Sequence, residues 1–395
     1  MKKSMISFLY KIQNTKHKIR KFFCRNNSFT LIETLIVAAI LIIMTTGAVL
    51  EMSSFKNKKT LDLDAQQIAT ALGNAQSKAI QQEGGSAWGV RFTNGTVDSY
   101  QIFQGLSYST SSVVDSEQLG LTDSFTNPAS GMNLDVVFNQ RTGTPVSGGA
   151  FVVVIKQNSS SNLYSIFVSS AGKISTIFET GLVGYWPMDE GSGGTAYDAS
   201  GNNNVGTITI GASGTQTTVA QAWANATPSR VGIGLNFDGT DDYAWIADAS
   251  ANHLTSSFTF SAWINPSAYS SENIIFNKEN TYEWAIDTTQ NVRWAINNTT
   301  PGWNWISTGL SAPTSQWNYF VITYDGNSVL TYKNGVLGNT YSGASGSLVP
   351  NGNELLIGAR GNTSPASFFI GKIDDVRIYN RALSATEIQN LYNSY

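Results

Sequence analysis

Residues 29–50, FTLIETLIVAAILIIMTTGAVL, run for 22 positions with a single charge, Glu33. A helix of about 20 such residues is long enough to cross the hydrocarbon core of a bilayer. A secreted chain with a cleaved signal would instead show a shorter apolar core followed by a small-residue cleavage site. Here TTGAVLEMSSFKNKK follows, which fits that pattern poorly. The run therefore predicts a membrane anchor. It also raises the question of why Glu33 is kept, since a charge in lipid costs roughly 2.5–3.5 kcal/mol on insertion scales.

Charge around the run orients it. Residues 1–28 carry eight Lys or Arg and no acid. Removing those eight from the 24 basic residues leaves 16 against 27 acidic, a net charge of −11 on the remainder. Positive flanks stay cytoplasmic, so the N-terminus is expected inside. An acidic remainder argues against nucleic acid as a partner. The one cysteine, Cys24, lies in the basic head, so no disulfide forms within the chain. Beyond the head there is one histidine, His253, and no cysteine. That disfavours zinc sites, thiol nucleophiles and Ser-His-Asp triads, and leaves oxygen-ligand calcium as the metal chemistry to consider.

The order of features is a basic leader, the small residue Ser28, then Phe29, then Glu33 at the head of the apolar run. This resembles the cleavage and methylation segment of type IV pilins and type II secretion pseudopilins. The family usually has Gly where this chain has Ser28. The resemblance implies a prepilin peptidase that cuts before Phe29 and methylates its new amine. It also implies that Glu33 pairs with the amine of a neighbouring pilin subunit, which offsets the cost of its charge in lipid. The precursor would then sit in the inner or cytoplasmic membrane, and the mature chain in an extracellular filament or at the cell surface.

In 61–83, apolar residues fall at Leu61, Ala65, Ile68, Leu72, Ala75 and Ala79. Steps of three and four make one helical stripe, and EGG at 83–85 ends it. One helix from 29 to about 82 would be about 80 Å long. Residues 85–180 change to strand patterns: AWGVRF and SYQIFQG about an Asn94-Gly95 turn, then LDVVFNQRTGTP, GAFVVVIKQ and NLYSIFVSS. They predict an antiparallel sheet of five to seven strands packed on the helix. The stretches VVFNQRTGTP and IFVSSAGKIS resemble the head of H-type minor pseudopilins. The organisation read from the sequence is a leader (1–28), a transmembrane and amphipathic helix (29–84), a pilin-like β head (85–180) and a further domain (181–395), with a joint near 180.

That last part holds nine of the ten tryptophans. Its short alternating runs and tight turns (GLNFDGTDDYAWI, SFTFSAWINP, WNYFVITYDGNSVLTYKNGVL) predict an all-β sandwich. SATEIQNLY adds one terminal helix with Ser384 as N-cap and Glu387 three residues on. Together these stretches resemble the laminin-G-like, concanavalin A-like jelly roll. The resemblance implies glycan or protein binding and a structural calcium near the joined first and last strands. Asp189, Asp198, Asn202 and Asp374 are the candidate calcium ligands, and the same residue types also suit turns. Trp186, Trp245, Trp263 and Trp317 are assigned to the core. Trp294, Trp303, Trp305, Asn298 and Arg360 are the candidate binding residues, because an aromatic plate with amides suits a sugar ring; for Trp303 and Trp305 core and exposed positions stand equal, and Arg293 either assists or faces water. Hydrolysis is not expected, because the E-x-D-x-x-E strand pattern is missing; Glu279 and Glu283 have no third acid. The reading is thus a minor or tip filament subunit that displays a lectin-like head, and not an enzyme. The alternatives are a pseudopilin of a secretion or DNA-uptake system whose sandwich is a contact module, and an uncleaved membrane-anchored adhesin.

Overall fold

The computed structural model describes residues 31–147, 149–226, 229–269, 272–361 and 364–395. Ser28, Phe29 and the side chain of Glu33 lie outside the described residues, so the processing and pairing expectations are not addressed by them. The chain divides into two units, Met1–Lys56 and Asn57–Tyr395. In the first, Ile32, Leu35, Ile36, Leu41 and Ile43 are exposed. The span expected over 29–50 falls partly outside the described residues, and among those described no helix is long and apolar enough to cross a membrane.

Helix α1 runs Leu31–Ile80. Its stripe Leu61, Ala65, Ile68, Leu72, Ala75 and Ala79 is buried, none of the six more than 1% exposed. Gln82, Gly84 and Gly85 then take positive φ and end the helical path. Eight strands follow: β1 (Trp88–Thr93), β2 (Ser99–Gln104), β3 (Val113–Gln118), β4 (Asp123–Asn127), β5 (Asn133–Phe138), β6 (Phe151–Gln157), β7 (Leu163–Val168) and β8 (Ile174–Glu179). They form two four-stranded sheets, ordered β3-β2-β1-β5 and β4-β6-β7-β8, where the sequence had suggested a single sheet of five to seven strands.

The second sheet is apolar on both faces. Side chains alternate across a strand. In β6, Val153 and Ile155 join the α1 core while Val152 and Val154 join another. In β7, Ile166 and Val168 face the helix, and Leu163 and Phe167 face away from it.

What covers that far face is the rest of the chain. It contributes β9 (Leu182–Trp186), β10 (Thr195–Ala196), β11 (Gly206–Thr209), helix α2 (Val219–Asn225), β12 (Leu235–Asp238), β13 (Tyr243–Ile246), β14 (Phe258–Pro266), β15 (Asn273–Lys278), β16 (Tyr282–Ile286), β17 (Asn291–Ile296), β18 (Ile306–Ser311), β19 (Asn318–Tyr324), β20 (Val329–Lys333), β21 (Val336–Tyr341), β22 (Leu355–Ile357), β23 (Ile370–Tyr379) and helix α3 (Ala385–Ser394). An eight-stranded sheet (β10-β11-β13-β22-β15-β16-β17-β18) packs on a seven-stranded one (β12-β23-β14-β19-β20-β21, with β9 also on β23). The sandwich core between them includes Trp186, Phe260, Phe276, Trp284 and Trp294. α3 starts where expected: Ser384 accepts from Glu387 N, and the Glu387 carboxylate caps in return.

The joint expected near 180 is not a free linker. Val152, Leu163 and Phe167 share one core with Trp263, Tyr319, Val321 and Tyr379 of the seven-stranded sheet. Buried Glu179 accepts from Ser165 Oγ and, at 2.6 Å, from Tyr379 OH. Arg377, fully buried, pairs with Asp375 at 3.2 Å and lies 4.0 Å from the Tyr185 ring and 5.4 Å from the Phe167 ring.

Candidate functional site

The outward face of the eight-stranded sheet follows from alternation. Tyr282, Trp284 and Ile286 of β16 and Val292, Trp294 and Ile296 of β17 all point into the sandwich core. Glu283 and Arg293 therefore lie on the opposite face. Strand register builds a row across that face. Trp245 is opposite Leu356, Leu356 opposite Asn277, Asn277 opposite Glu283, and Glu283 opposite Ala295. Arg293 sits beside the row, paired with Ala285.

Charge is dense here. Arg360 Nε lies 3.2 Å from Glu283 Oε1 and 3.3 Å from Glu279 Oε2. Asn277 Nδ2 also donates to Glu279 at 3.2 Å, and Asn277 Oδ1 accepts from Gly361 N. Asn351 and Asn353 both donate to Glu279 O and hold that corner in place. Arg293 pairs with Glu272, and its guanidinium stacks 4.4 Å from the Trp305 ring centre. The Glu283 side chain has no exposure. Burial pushes its carboxyl up to about 8, against the opposing pull of Arg360. Burial, then Arg360, lowers Arg293. Both Glu283 oxygens and Arg293 Nε are buried without a hydrogen-bond partner among the described residues. Such groups are costly to keep unless something completes them.

The five candidate binding residues do not stay together. Arg360 and Trp305 reach this face. Trp294 does not: it is 1% exposed, in the core, edge-on to Tyr341 at 5.4 Å. An apolar neighbour to Arg293 on a strand must point the other way. Asn298 is buried in a turn, its Oδ1 accepting from Gly302 N and its Nδ2 donating to Tyr324 OH. Trp303 is half-buried in the 301–305 turn. Conversely, Trp245 and Trp317, assigned to the core, are half-buried, whereas Trp186 and Trp263 are core residues. Glu283, Glu279, Glu272 and Asn277 line this face and were not among the candidate binding residues. The signal was present in YEWAI and NVRWAI, where a charge is flanked on both sides by core apolar residues.

The four calcium candidates also divide. Asp198 accepts from Tyr185 N, Ser200 N and Asn204 N, and Asn202 Nδ2 donates to Leu182 O and Val183 O. Both are committed to backbone groups, of their own loop and of β9, and tie that loop to the strand. Burial first, and then the Asp189 charge, pushes Asp374 well above the usual carboxylate range, while burial raises Asp189 to about 8. Asp374 Oδ2 accepts from Arg230 N and Val231 N, while its Oδ1 is buried without a partner. Asp189 Oδ1 accepts from Ile233 N. The orphaned Asp374 oxygen, with the Asp189 charge acting on it, suits a hard cation; Asp198 and Asn202 are engaged elsewhere, so the four do not form one site.

Residues 238–389 match the family model of the concanavalin A-like lectin/glucanases superfamily. This part of the chain has a lectin-like jelly-roll fold. Among solved structures, domain 4 of AbnA, a GH43 extracellular arabinanase from Geobacillus stearothermophilus, in complex with arabinotriose, is similar at 20% identity. That match has a TM-score of 0.41 and covers 53% of this chain and 98% of that one. The binding domain of Paraclostridial Mosquitocidal Protein 1 is similar at 19% identity and TM-score 0.42, covering 54% of this chain and 52% of that one. The botulinum neurotoxin serotype D ligand-binding domain, in complex with N-acetylneuraminic acid, is similar at 15% and 0.40, covering 54% and 50%. No curated protein matches the chain.

Proposed function

We propose that the chain is a surface-displayed subunit whose sandwich binds a saccharide on the outward face of its eight-stranded sheet. The observation that carries this is the incompletely bonded Glu283 and Arg293, with the half-buried Arg360 beside Glu283, set between Trp245 and Trp305. Sugar hydroxyls both donate and accept, so one ring can complete a carboxyl and a guanidinium together, while its apolar face stacks on indole. Binding rather than hydrolysis is the reading, because Arg360 ties Glu279 and Glu283 to one cation. A calcium ion between Asp189 and Asp374 would hold the start of the sandwich to its last strand. The N-terminal part of the reading is a pilin-like anchor: the Ser28–Phe29 segment would be processed by a prepilin peptidase, and the mature helix would carry the head into a filament. The stripe on α1, buried under the first head, supports it.

A glycan array probed with the full chain tests the site. Saccharide binding that falls in Arg360→Ala and Trp305→Ala supports it; binding unchanged in both variants, or no binding to any glycan, refutes it. Mass spectrometry of sheared surface material tests the anchor. A peptide beginning with N-methylated Phe29 supports processing, and an intact chain beginning near Met1 refutes it.

A further inference from the structure

A second cluster lies outside both sites above. β12 ends at Asp238 and β13 begins at Tyr243, and the turn between them carries Asp241 and Asp242. One oxygen from each of Asp238, Asp241 and Asp242 lies within 4.8 Å of the other two. Segment 213–216 returns over this turn and fixes part of each carboxylate. Asp241 Oδ2 accepts from Ser213 N at 3.0 Å, and Asp238 Oδ2 from Thr215 N at 2.6 Å and Gln216 N at 3.0 Å. Asp238 Oδ1 accepts from Thr240 N. Asp242 is fully buried, and its Oδ2 accepts from Gln216 Nε2 and Asp238 N.

What these donors leave over points to a ligand. Asp241 Oδ1 and Asp242 Oδ1 are both buried without a hydrogen-bond partner among the described residues. Three carboxylates this close repel one another, and a buried, unpartnered oxygen is held at a cost. Protons or a cation can relieve that arrangement. A proton relieves one carboxyl; a divalent ion relieves three at once. The main chain also comes unusually close. A Cβ at Gly211 would sit 1.9 Å from Asp241 Cγ, and one at Gly214 2.1 Å from Asp238 Oδ2.

We propose that Asp238, Asp241 and Asp242 bind a divalent cation of the calcium class. The donor set is all oxygen, with no imidazole or thiolate, which suits a hard ion of flexible coordination. The ion would clamp segment 211–216 to the β12–β13 turn. β13 carries Trp245 onto the outward face, so the clamp fixes one end of that strand. The site does not depend on the saccharide reading.

The test uses the full chain stripped with chelator and then titrated with calcium alone, read by equilibrium uptake and by thermal melting. Wild type is expected to take up the ion with a Kd on the order of 10⁻⁴–10⁻³ M, the range of extracellular oxygen-ligand sites, and to melt higher with it. Asp241→Asn keeps an acceptor for Ser213 N and is only half-buried, so it should fold. It should weaken this uptake by at least about tenfold while melting like wild type in chelator. Asp242→Asn should do the same, and Asp241→Asn decides alone if that variant fails to fold. Asp374→Asn marks the other pair and should leave this step intact. Uptake unchanged in Asp241→Asn, uptake lost only in Asp374→Asn, or no uptake by wild type at about 10 mM calcium would each overturn the proposal.

Discussion

The sharpest consequence of the shared core is that damage under α1 should be felt in the sandwich. Ile166 is fully buried and points at the helix, two layers away from the tryptophans of the sandwich core. Ile166→Ala removes three buried carbon atoms, and such changes cost about 2–5 kcal/mol, so about 3 kcal/mol is expected at this site. Its neighbours on β7, Ser165 and Phe167, face the sandwich and are fixed there by Glu179, Tyr379 and Arg377. If these layers unfold together, the urea midpoint should fall by roughly 1 M, taking about 3 kcal/mol per M for the slope. Far-UV circular dichroism reports α1. Tryptophan fluorescence reports residues 181–395, which hold nine of the ten tryptophans. Both signals should move to the same new midpoint. A helix signal that shifts while the fluorescence transition stays at its wild-type midpoint would show that the two heads are independent and that the shared core is not cooperative.

Other outcomes follow from single groups. Burial raises the Glu283 carboxyl to about 8 against the pull of Arg360, so its contribution to stability is full below the unfolded carboxyl pKa and is lost as pH rises through about 8. Melting of wild type should therefore fall between pH 5 and 9 by a free energy on the order of 3–5 kcal/mol, and Glu283→Gln should flatten that slope; an equal slope in the variant would refute the assignment. The Glu387 carboxyl is held down to about 2, first by its hydrogen bonds from Arg381 and then by the cap. That stability is present above the usual carboxylate pKa and is lost as pH falls toward 2. Ser384→Ala should cost about 0.5–2 kcal/mol in denaturation near neutral pH, and no measurable loss would mean the cap is redundant with packing of α3. Arg360→Ala should weaken saccharide binding at least about tenfold, the loss expected for one charge-assisted hydrogen bond, without changing the melting of α1.

How much of this was legible depended on distance along the chain. The α1 stripe and the Ser384–Glu387 box are local patterns, and local spacing is enough to read them. The two-sided character of β6 was equally visible in FVVVIKQ, since a strand apolar at successive positions is buried on both faces. What covers its second face was not, because the partner residues lie at 263, 319, 321 and 379. Sheet order was hidden for the same reason. β22 inserts between β13 and β15, and β23 between β12 and β14. No local signal sets such pairings, and without them Trp245, Asn277 and Glu283 cannot be seen as neighbours. The Trp294 assignment failed on a local rule that was available: in NVRWAI the charge and the indole are adjacent, so they cannot share a face.

That rule, joined to the shared core, adds support to the outward face of the eight-stranded sheet as the proposed binding face. A sandwich offers two outward faces. Here the seven-stranded sheet spends Trp263, Tyr319, Val321 and Tyr379 on the first head, and its one buried arginine, Arg377, is paired with Asp375 and enclosed by rings. The eight-stranded sheet keeps Glu283 Oε2 and Arg293 Nε buried on its outward side without a hydrogen-bond partner among the described residues, although Arg360 and Glu272 pair with the same side chains. A chain selected only for stability would gain by replacing Glu283 and Arg293 with apolar residues, since a buried ionic group is often no better than its hydrophobic counterpart. A ligand arriving from solution, as proposed above, would complete Glu283 Oε2 and Arg293 Nε on that face, and this is what the saccharide-binding test examines.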